Sequence, residues 1–531
     1  MDFSVIIVLL AYTQNREQKR LCFSSDCRNH KGLWLSLSKS VLLCNTVLIL
    51  VLSLVALTSE YTTVYHVKTQ VIEDAPFVLS YTSSGPILIQ SDADFETQGW
   101  PGNGTEEDPY MIEGLRITSE STCISISDTS TYFEVVSCLV SSNSLTPNPG
   151  IEFDNVMFGS VKDCEINTHD TGVTIFNSID CAFINNTLTY NQIGIYLNHS
   201  VSCKISENTV SFPTAFGILI HESNGCLLSQ NLVQGNQEVG ISLDQIANSI
   251  ISNCSIVCHK LPNQTNMGLY GLLLDDCILT DNLVEGDDNQ YGYDFLRVSN
   301  CTLIGNSVNH CSQGLTLQDF VECTITENKV FDNSNGIYAF KLENCTFVGN
   351  SLTNNQHGIE VREGRNCSII RNVLMNDLHD EFTLTDLSNC SIIENEARDC
   401  QGGYCLQSAV NCTVLNNTAT HNERYGFKLD SGCENNTLYL NRIGLNDMGN
   451  AVDDGTNNKW DNGNDTGNYW ADYDGEGYYE ILGDAGSLDR FPFYWDLSDT
   501  AENPLNDVLF IGLAAISLAG LVVIVAYVRR K

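Results

Sequence analysis

One short pattern recurs along the middle of this chain and limits what it can fold into. Residues 344–352 read NCTFVGNSL, and the pattern returns as NCTLIGNSV from Asn300 and NCTVLNNTA from Asn411. The repeat frame is Cys, any residue, an apolar residue, two residues, Asn, any residue and an apolar residue. Over residues 277–412 successive frames begin 22 to 24 residues apart. A fixed period of this length indicates a solenoid of about 14 stacked units.

The spacing of apolar residues within a unit predicts strands. Cys345 and Phe347 lie two positions apart, as do Ile359 and Val361, and this is the spacing of a strand with one buried face. Thr, Val, Ile and Phe favour strands, and no helical period runs through a unit. The sequence therefore predicts an all-β chain in which each unit is one coil of a parallel β-helix.

The frame cysteines are predicted to form a buried column of thiols. Side chains stacked in register run parallel, which does not suit the torsion of a disulfide, so we expect these thiols to act as small hydrophobic groups. The column comprises Cys138, Cys164, Cys181, Cys203, Cys226, Cys277, Cys301, Cys323, Cys345, Cys367, Cys390 and Cys412, and Ser249 and Asn436 stand where further cysteines would fall. The off-frame cysteines are better disulfide candidates, Cys400 with Cys405 first, then Cys258, Cys311 and Cys433.

Two more positions repeat with the cysteine. An Asn follows it by five residues, and amides stacked about 4.8 Å apart would form a hydrogen-bonded ladder at a left-handed corner. This column comprises Asn143, Asn186, Asn208, Asn231, Asn282, Asn306, Asn328, Asn350, Asn372, Asn395, Asn417 and Asn441. A Gly before an apolar residue suits a second corner where no side chain fits, at Gly194, Gly217, Gly240, Gly336 and Gly358.

These residues resemble the right-handed parallel β-helix repeat proteins. The most similar group is the NosD-type family, first described as periplasmic copper-binding proteins, with relatives among carbohydrate-binding proteins and sugar hydrolases. The resemblance covers residues 85–496 and implies a right-handed β-helix with a carbohydrate ligand. It implies little about activity, because one fold carries many functions.

Charge excludes some partners. The chain holds 65 acidic and 26 basic residues and has a formal net charge of −39. Such a surface repels nucleic acid and anionic lipid, so we expect no nucleic-acid partner and a body that lies outside the cell.

Both ends of the chain predict membrane targeting. Residues 1–60 hold an apolar run at 41–57 behind Arg28, Lys31 and Lys39, and are interpreted as a signal peptide or an N-terminal membrane anchor. Residues 508–528 are apolar apart from Ser517 and long enough for a transmembrane helix. Because basic residues follow this span, we expect a cytoplasmic C-terminus and extracellular repeats in the cell membrane.

The repeats are expected between two caps. Residues 61–117 are predicted as a lead-in and N-terminal cap, and residues 118–445 as the coils. Residues 446–496 lose Cys and gain Trp, Tyr, Asp and Gly, which predicts a C-terminal cap with an aromatic lid. An acidic linker follows at 497–507. Within the cap, Asp472, Asp474 and Glu476 space their oxygens as calcium loops do, although they lack the full twelve-residue frame and a cap alone would explain them.

Two groups of residues are candidates for binding a ligand. In the longer units, aromatic side chains would stack on sugar rings or would simply cover the coil edge; these are Tyr270, Tyr291 and Tyr293. A basic concentration in the acidic chain would grip an anionic glycan or would pair with Asp380 and Glu381; it comprises Arg362, Arg365 and Arg371.

Catalysis and copper binding have weaker support. Asp275 and Asp276 look like part of a pectinase-type carboxylate motif, but they also occupy the polar positions that precede each frame Cys, and the motifs NTDG, GHG and RIK are absent. The six Met and ten His are scattered, which does not favour copper delivery. We therefore expect a cell-surface protein that binds carbohydrate or envelope glycan without catalysis and needs no cofactor other than a candidate Ca²⁺. The alternatives are a polysaccharide hydrolase or lyase, and an adhesin or envelope spacer.

Overall fold

The computed structural model describes residues 81–143, 148–258, 266–288, 290–379 and 382–496. Within them the chain winds through three parallel sheets, A, B and C, and returns to the same sheet at every third strand. Each strand pairs in register with the equivalent strands of the coils before and after it, as Thr346 pairs with Thr324 and Ser368. This is the predicted parallel β-solenoid.

The strands of sheet B vary most in length. The sheet has sixteen strands, so the solenoid has about 16 coils rather than the 14 expected. Its strands are β2 (Ile87–Ile89), β5 (Ile124–Thr129), β8 (Ile151–Val156), β11 (Thr171–Phe176), β14 (Ile193–Asn198), β17 (Phe216–His221), β20 (Val239–Asp244), β23 (Met267–Asp275), β26 (Tyr291–Ser299), β29 (Gln313–Val321), β32 (Asn335–Glu343), β35 (His357–Arg365), β38 (Phe382–Thr385), β41 (Tyr404–Gln407), β44 (Tyr425–Leu429) and β47 (Gly449–Asp453).

Sheet C follows sheet B in each coil, and almost all of its strands have three residues with the middle one buried. They are β3 (Tyr110–Glu113), β6 (Phe133–Val136), β9 (Gly159–Lys162), β12 (Ala182–Ile184), β15 (Lys204–Ser206), β18 (Leu227–Ser229), β21 (Ile250–Ser252), β24 (Ile278–Thr280), β27 (Thr302–Ile304), β30 (Thr324–Thr326), β33 (Thr346–Val348), β36 (Ser368–Ile370), β39 (Ser391–Ile393), β42 (Thr413–Leu415) and β45 (Thr437–Tyr439).

Sheet A completes the coil. It contains β1 (Thr82–Ser84), β4 (Leu115–Thr118), β7 (Leu139–Ser141), β10 (Glu165–Asn167), β13 (Thr187–Thr189), β16 (Thr209–Ser211), β19 (Leu232–Gln234), β22 (Ser255–Val257), β25 (Leu283–Glu285), β28 (Ser307–Asn309), β31 (Lys329–Phe331), β34 (Ser351–Thr353), β37 (Val373–Met375), β40 (Glu396–Arg398), β43 (Thr418–Thr420), β46 (Arg442–Gly444), β48 (Tyr469–Trp470) and β51 (Phe493–Tyr494). Strands of all three sheets thus precede residue 118, and strands of sheets A and B continue beyond residue 445.

The repeat frame accounts for the core. Cys345, Phe347, Asn350 and Leu352 are all fully buried, so the frame marks the inward positions of sheets C and A and of the corner between them. The ladder is formed as predicted: Asn350 Nδ2 donates to Asn372 Oδ1 at 2.8 Å and to Ile325 O at 2.9 Å. The left-handed residue is the one before each ladder Asn, such as Gly349, because the amide itself must turn inward.

Two frame assignments are wrong at the N-terminal end. Cys138 and Cys164 precede strands of sheet A and so stand in the asparagine column, where the Cys164 N–H donates to Asn186 Oδ1 at 3.0 Å. Asn143 is exposed and lies outside the ladder. The step from Cys164 to Cys181 is 17 residues, and this break in the period marks the change of column.

Among the described thiols, Cys405 is half-buried and all the others are buried. The thiol column from Cys181 to Cys412 is confirmed, and burial raises the pKa of Cys226 to about 12. The expected Cys400–Cys405 disulfide is not formed: Cys400 Sγ donates to Arg398 O at 2.9 Å inside the coil, whereas Cys405 lies on the outer face of β41. Cys258, Cys311 and Cys433 are also buried thiols, because each occupies an inward position of its coil.

Each end of the solenoid is covered by aromatic side chains. The helix α1 (Asp92–Gln98) places Phe95 between the rings of Tyr110 and Phe133, at 4.9 and 5.2 Å. At the other end Trp460 and Trp470 are fully buried. Their indole N–H groups donate to buried carboxylates, Trp460 to Asp453 at 3.0 Å and Trp470 to Asp489 at 2.9 Å. An antiparallel pair, β49 (Tyr479–Glu480) and β50 (Leu488–Asp489), lies beyond the last coil.

No helix within the described residues is long and apolar enough to cross a membrane. The predicted segments at 1–60, 497–507 and 508–528 lie outside the described residues, as does the part of 61–117 before residue 81.

Candidate functional site on the outer face of sheet B

Five consecutive coils have longer strands in sheet B than the others. Strands β14, β17 and β20 have six residues, whereas β23, β26, β29, β32 and β35 have nine. Each long strand contains one non-glycine residue with φ of 55° to 58°, such as Lys341 or Glu363. A left-handed residue inside a strand changes the direction of the chain. The equivalent left-handed residues His199, Glu222 and Gln245 follow β14, β17 and β20, so the five long strands differ in that their regular pairing continues past the bend.

The outer face carries tyrosines at one repeated position. In parallel register, Tyr270 is followed by Asp294, Thr316, Tyr338 and Glu360 on successive strands. The position comes two residues after the repeated Gly, so it points outward while the residue between points into the core. Burial raises the pKa of the Asp294 carboxyl. The pKa of the Tyr270 hydroxyl is also raised, mainly by burial and further by the nearby carboxylates of Asp294 and Asp244.

Tyr338 is the centre of this face. The Arg362 guanidinium carbon lies 5.9 Å from the centroid of the Tyr338 ring, and Arg362 Nε donates to Glu360 Oε1 at 2.5 Å. The Lys341 ammonium lies 5.0 Å from the Phe340 ring on the same strand. Aromatic faces and charged hydrogen-bonding groups therefore alternate across two neighbouring coils.

A depression of about 530 Å³ lies beside this cluster, where the long strands bend. Its lining mixes cations and anions: Asp319, Val321, Lys341, Leu342, Glu343, Glu363, Arg365 and Asp386. Lys341 Nζ is 3.8 Å from Asp319 Oδ1. A mixed lining offers both donors and acceptors, as the hydroxyl groups of a sugar require.

The structure brings together some of the predicted ligand residues and separates others. Tyr270, Arg362 and Arg365 all lie on the outer face of sheet B, and Tyr291 is partly exposed at the start of β26. Tyr293 was wrongly predicted as a ligand residue. It is fully buried, with its ring 5.6 Å from Phe295, because it occupies the inward position after Gly292.

Arg371 lies away from this face. It precedes the ladder residue Asn372 at the corner between sheets C and A, and its Nε is 2.6 Å from Glu394 Oε2. The expected pairing partners, Asp380 and Glu381, lie outside the described residues. Arg362 and Arg371 are instead paired with glutamates of their own and the next coil.

Sequence reasoning missed Tyr338, Asp294, Glu360 and Lys341. A signal for three of them was present in the second residue after the repeated Gly, which is Tyr at Gly268-Leu-Tyr270 and Gly336-Ile-Tyr338 and acidic at Gly292-Tyr-Asp294 and Gly358-Ile-Glu360. Lys341 had no such signal, because its place depends on the bend within the long strand.

A second group of titratable side chains lies earlier on the same face. His221 Nδ1 is 2.7 Å from Asp244 Oδ2, and His199 Nε2 is 2.5 Å from Glu222 Oε2. The other carboxylate oxygen of Glu222 is 3.6 Å from His221 Nε2. The pairs follow from the register, because His221 stands beside Asp244 on the next strand.

The residues of the proposed calcium loop are used in other contacts. Asp472 Oδ1 accepts from Asn450 Nδ2 at 2.7 Å and from the Tyr479 hydroxyl at 3.0 Å. Asp474 Oδ1 accepts from the Glu476 N–H at 2.9 Å, which closes a turn. Calcium binding by these residues stays a prediction.

Two family profiles of β-helix proteins match the sequence of this chain. The sequence profile of the right-handed β-helix region matches residues 193–352, and that of the periplasmic copper-binding protein (NosD) family matches 86–256 and 276–475, more than half of the chain. The fold thus defines a parallel β-helix protein. The chain belongs to the NosD family.

The solved structures that match the chain do so at low identity and with low TM-scores. The alginate lyase from Paenibacillus sp. str. FPU-7 is 12% identical with a TM-score of 0.35, covering 49% of this chain and 97% of that one. A double mutant of the periplasmic alginate epimerase AlgG is 14% identical with a TM-score of 0.29, covering 56% of this chain and 69% of that one. The tailspike protein of E. coli bacteriophage HK620, in complex with a pentasaccharide, is 11% identical with a TM-score of 0.36, covering 60% and 69%. No curated protein matches the chain significantly.

The residues present do not fit the copper ion in the family's description. Across the described ranges, no group of three or more His, Cys, Asp or Glu side chains is arranged to hold a metal ion. The imidazoles of His199 and His221 face carboxylates, and the column thiols donate to backbone carbonyl groups, as Cys345 Sγ does to Phe320 O at 3.4 Å.

Proposed function

We propose that this chain is a cell-surface protein that binds a carbohydrate or envelope glycan, without catalysis, on the outer face of sheet B. The observation that carries the proposal is the arrangement of the Tyr338 ring between Arg362 and the long-strand bend, with Glu360 fixing the guanidinium. A tyrosine ring supports the apolar face of a sugar, while neighbouring charged groups bond its hydroxyls.

The charge of the face narrows the ligand class. Lys341 and Arg365 share the depression with Asp319, Glu343 and Glu363, so its lining is not predominantly basic. A polyanionic glycan would meet these carboxylates and a chain of net charge −39. The proposed ligand is therefore a neutral or weakly charged glycan whose hydroxyl groups use both donors and acceptors.

A glycan array probed with the full chain tests the proposal. Tyr338→Ala is expected to weaken binding about 5- to 100-fold, in the range for loss of one stacked aromatic ring. The matched control is Tyr190→Ala, which removes an exposed tyrosine that follows β13 of sheet A. Equal binding by wild type and Tyr338→Ala, or equal loss in both variants, would place the ligand elsewhere.

The histidine–carboxylate pairs favour a second candidate function, a hydrolase or lyase acting on polysaccharide. A carboxylate bound to His221 Nδ1 holds the imidazole as a general base requires, with Glu222 beside its other nitrogen. Incubation of the full chain with polysaccharides, followed by assays for reducing ends and unsaturated products, tests this function. Product formation that His221→Gln abolishes would support the enzyme, and unchanged polysaccharides would reject it.

We also propose that residues 508–528 anchor the chain in the cell membrane with the repeats outside. The support is the apolar length of that segment and the basic residues that close the chain. Protease added to intact cells should shed repeat fragments and leave a C-terminal tag intact. Digestion of the tag on intact cells would show that the C-terminus lies outside and would contradict the proposed orientation.

A further inference from the structure

The outer face of sheet C differs from the rest of the surface in its charge. From β18 to β45, ten successive strands present their first and third residues outward, and none of these is Asp, Glu, Lys or Arg. All of them except Thr326 are at least partly exposed. We call this surface the uncharged face.

The same coils carry charges on their other two sheets. Sheet A presents Glu285, Lys329, Glu396 and Arg398 outward, and sheet B presents Asp294, Glu360 and Arg362. In a chain with 65 acidic residues, a stretch of this length without one is not a property of the repeat frame. It is specific to the uncharged face.

The face has two chemically different columns. The first outward position is a hydroxyl residue in seven successive strands, from Thr302 to Thr437. The second is mainly aliphatic, including Ile370, Ile393 and Leu415. Farther toward the N-terminus Ile250 and Ile278 are each 42% exposed. Flat contact with another surface would remove this apolar area from water.

We propose that the uncharged face binds the same face of a second copy of this chain, so that the protein is a two-fold dimer. Two bodies of net charge −39 repel each other, and the outward residues of these ten strands add no charge to that repulsion. A second copy also has the same rise per coil, so its side-chain rows match along the whole face, which a partner of another periodicity would not do. Self-complementary pairing of one patch is the usual arrangement of dimers.

The area of the face is sufficient for this. Ten strands about 4.8 Å apart extend about 43 Å, and a three-residue strand spans about 15 Å when the corners are included, which carry the exposed Asp281, Glu327, Arg371 and Glu394. A dimer would bury about 650 Å² on each copy and about 1,300 Å² in total, which is within the range of specific interfaces.

Sedimentation velocity of the full chain in a mild detergent, over a range of micromolar concentrations, tests the proposal. Wild type should dimerise, and Thr346→Glu, which places a carboxylate at the middle of the face on both copies, should raise the dissociation constant about 100-fold or more. The matched control is Thr353→Glu on sheet A of the same coil, which should dimerise as wild type does. Circular dichroism checks that both variants are folded.

Each result decides the question. A monomeric wild type overturns the proposal. A Thr346→Glu variant that dimerises like wild type also overturns it, because association then uses another part of the chain. Equal loss of dimer in both variants would show a general charge effect and would likewise overturn it.

Discussion

One of the buried carboxyls, that of Asp377, interrupts a polar column inside the solenoid. A second amide ladder, beside the one predicted, runs from Asn333 to Asn355 and ends at Asp377, whose Oδ1 accepts the Asn355 N–H at 2.6 Å. Asp377 Oδ2 is buried without a hydrogen-bond partner among the described residues. An ionised carboxylate cannot donate as the asparagines do, and burial raises the pKa of Asp377 to about 7.

We predict that Asp377→Asn stabilises the protein at neutral and alkaline pH. Because the folded pKa of about 7 lies above the ordinary aspartate value of 3.8 in the unfolded chain, the folded state binds more protons and loses stability as pH rises from about 4 to 7. Ionisation costs at most about 4 kcal/mol above pH 7. Asparagine would restore a donor toward Leu352 O, as Asn355 Nδ2 donates to Val330 O at 3.0 Å.

Thermal unfolding at several pH values measures this effect. Asp377→Asn should raise the midpoint at pH 8 and change it little at pH 4. Asp332→Asn, at an exposed corner two coils earlier, is the control and should change neither. If the difference between the unfolding midpoints of Asp377→Asn and wild type were the same at pH 4 and pH 8, the explanation would be contradicted.

We predict that Cys405 is the most reactive of the described thiols. The others are buried and their environment is dry, which suppresses the thiolate and access to it, and burial raises the pKa of Cys258 and Cys433 to about 12. Alkylation of the native chain followed by mass mapping should label Cys405 first and the column thiols only after denaturation. The variant Cys405→Ser should show little native labelling among these cysteines; rapid labelling of Cys345 in the native chain would refute the buried column.

At the scale of the strand, glycines set the distance between neighbouring coils. A Cβ added at Gly217 would lie 2.4 Å from Gly240 O and 2.4 Å from Val233 Cγ1. The position has no left-handed φ and is the second residue of β17, so the requirement is space and not a corner. The same close contact repeats at Gly194 and Gly336.

We predict that Gly217→Ala destabilises its own and adjacent coils by about 1–3 kcal/mol, because backbone atoms on the next coil must move. Hydrogen exchange should show lost protection in β14, β17 and β20. The control is Gly85→Ala, where a Cβ would have no atom within 4 Å and where we expect a change within about 0.5 kcal/mol. Unchanged protection in these strands would mean that the coils can move apart at little cost.

The strands were predictable from sequence where one residue type repeats at one position. Cys345, Phe347 and Asn350 each satisfy the same inward environment in every coil, so their period is visible without a structure. The outer face of sheet B has no such constraint, since Tyr270, Asp294 and Tyr338 share a position but not a chemistry. Tyr293 was misplaced for a related reason: it occupies an inward position where the neighbouring coils have Leu269 and Leu315.

For the whole molecule, stability depends on contacts between neighbouring coils. Every strand of sheets A, B and C pairs with the equivalent strands of adjacent coils, so the energy is a sum of repeats and their interfaces. Removing a complete coil should therefore leave two compatible surfaces, whereas removing part of one should not.

We predict that deletion of residues 300–321 yields a folded solenoid that is one coil shorter. Ser299 pairs in register with Val321, so joining residue 299 to 322 preserves the alignment of all three sheets. Deletion of 300–310 is the matched control, because it joins sheet B to sheet B and places polar residues inside. Circular dichroism and hydrogen exchange should show a cooperative strand-rich fold for the first deletion and loss of protection around the junction for the second; equal behaviour would contradict coil-by-coil stacking.

Each coil pairs only with the coils directly before and after it, and this arrangement also determines how the protein would respond to a pulling force. Force applied at the two ends acts on one coil interface at a time, and a coil that detaches releases about 22 residues, or roughly 75 Å of extended chain. The repeats would thus lengthen in steps of similar size, each absorbing work before the next begins. A solenoid of this kind, if bound to a glycan, would limit the force transmitted between its ligand and its point of attachment.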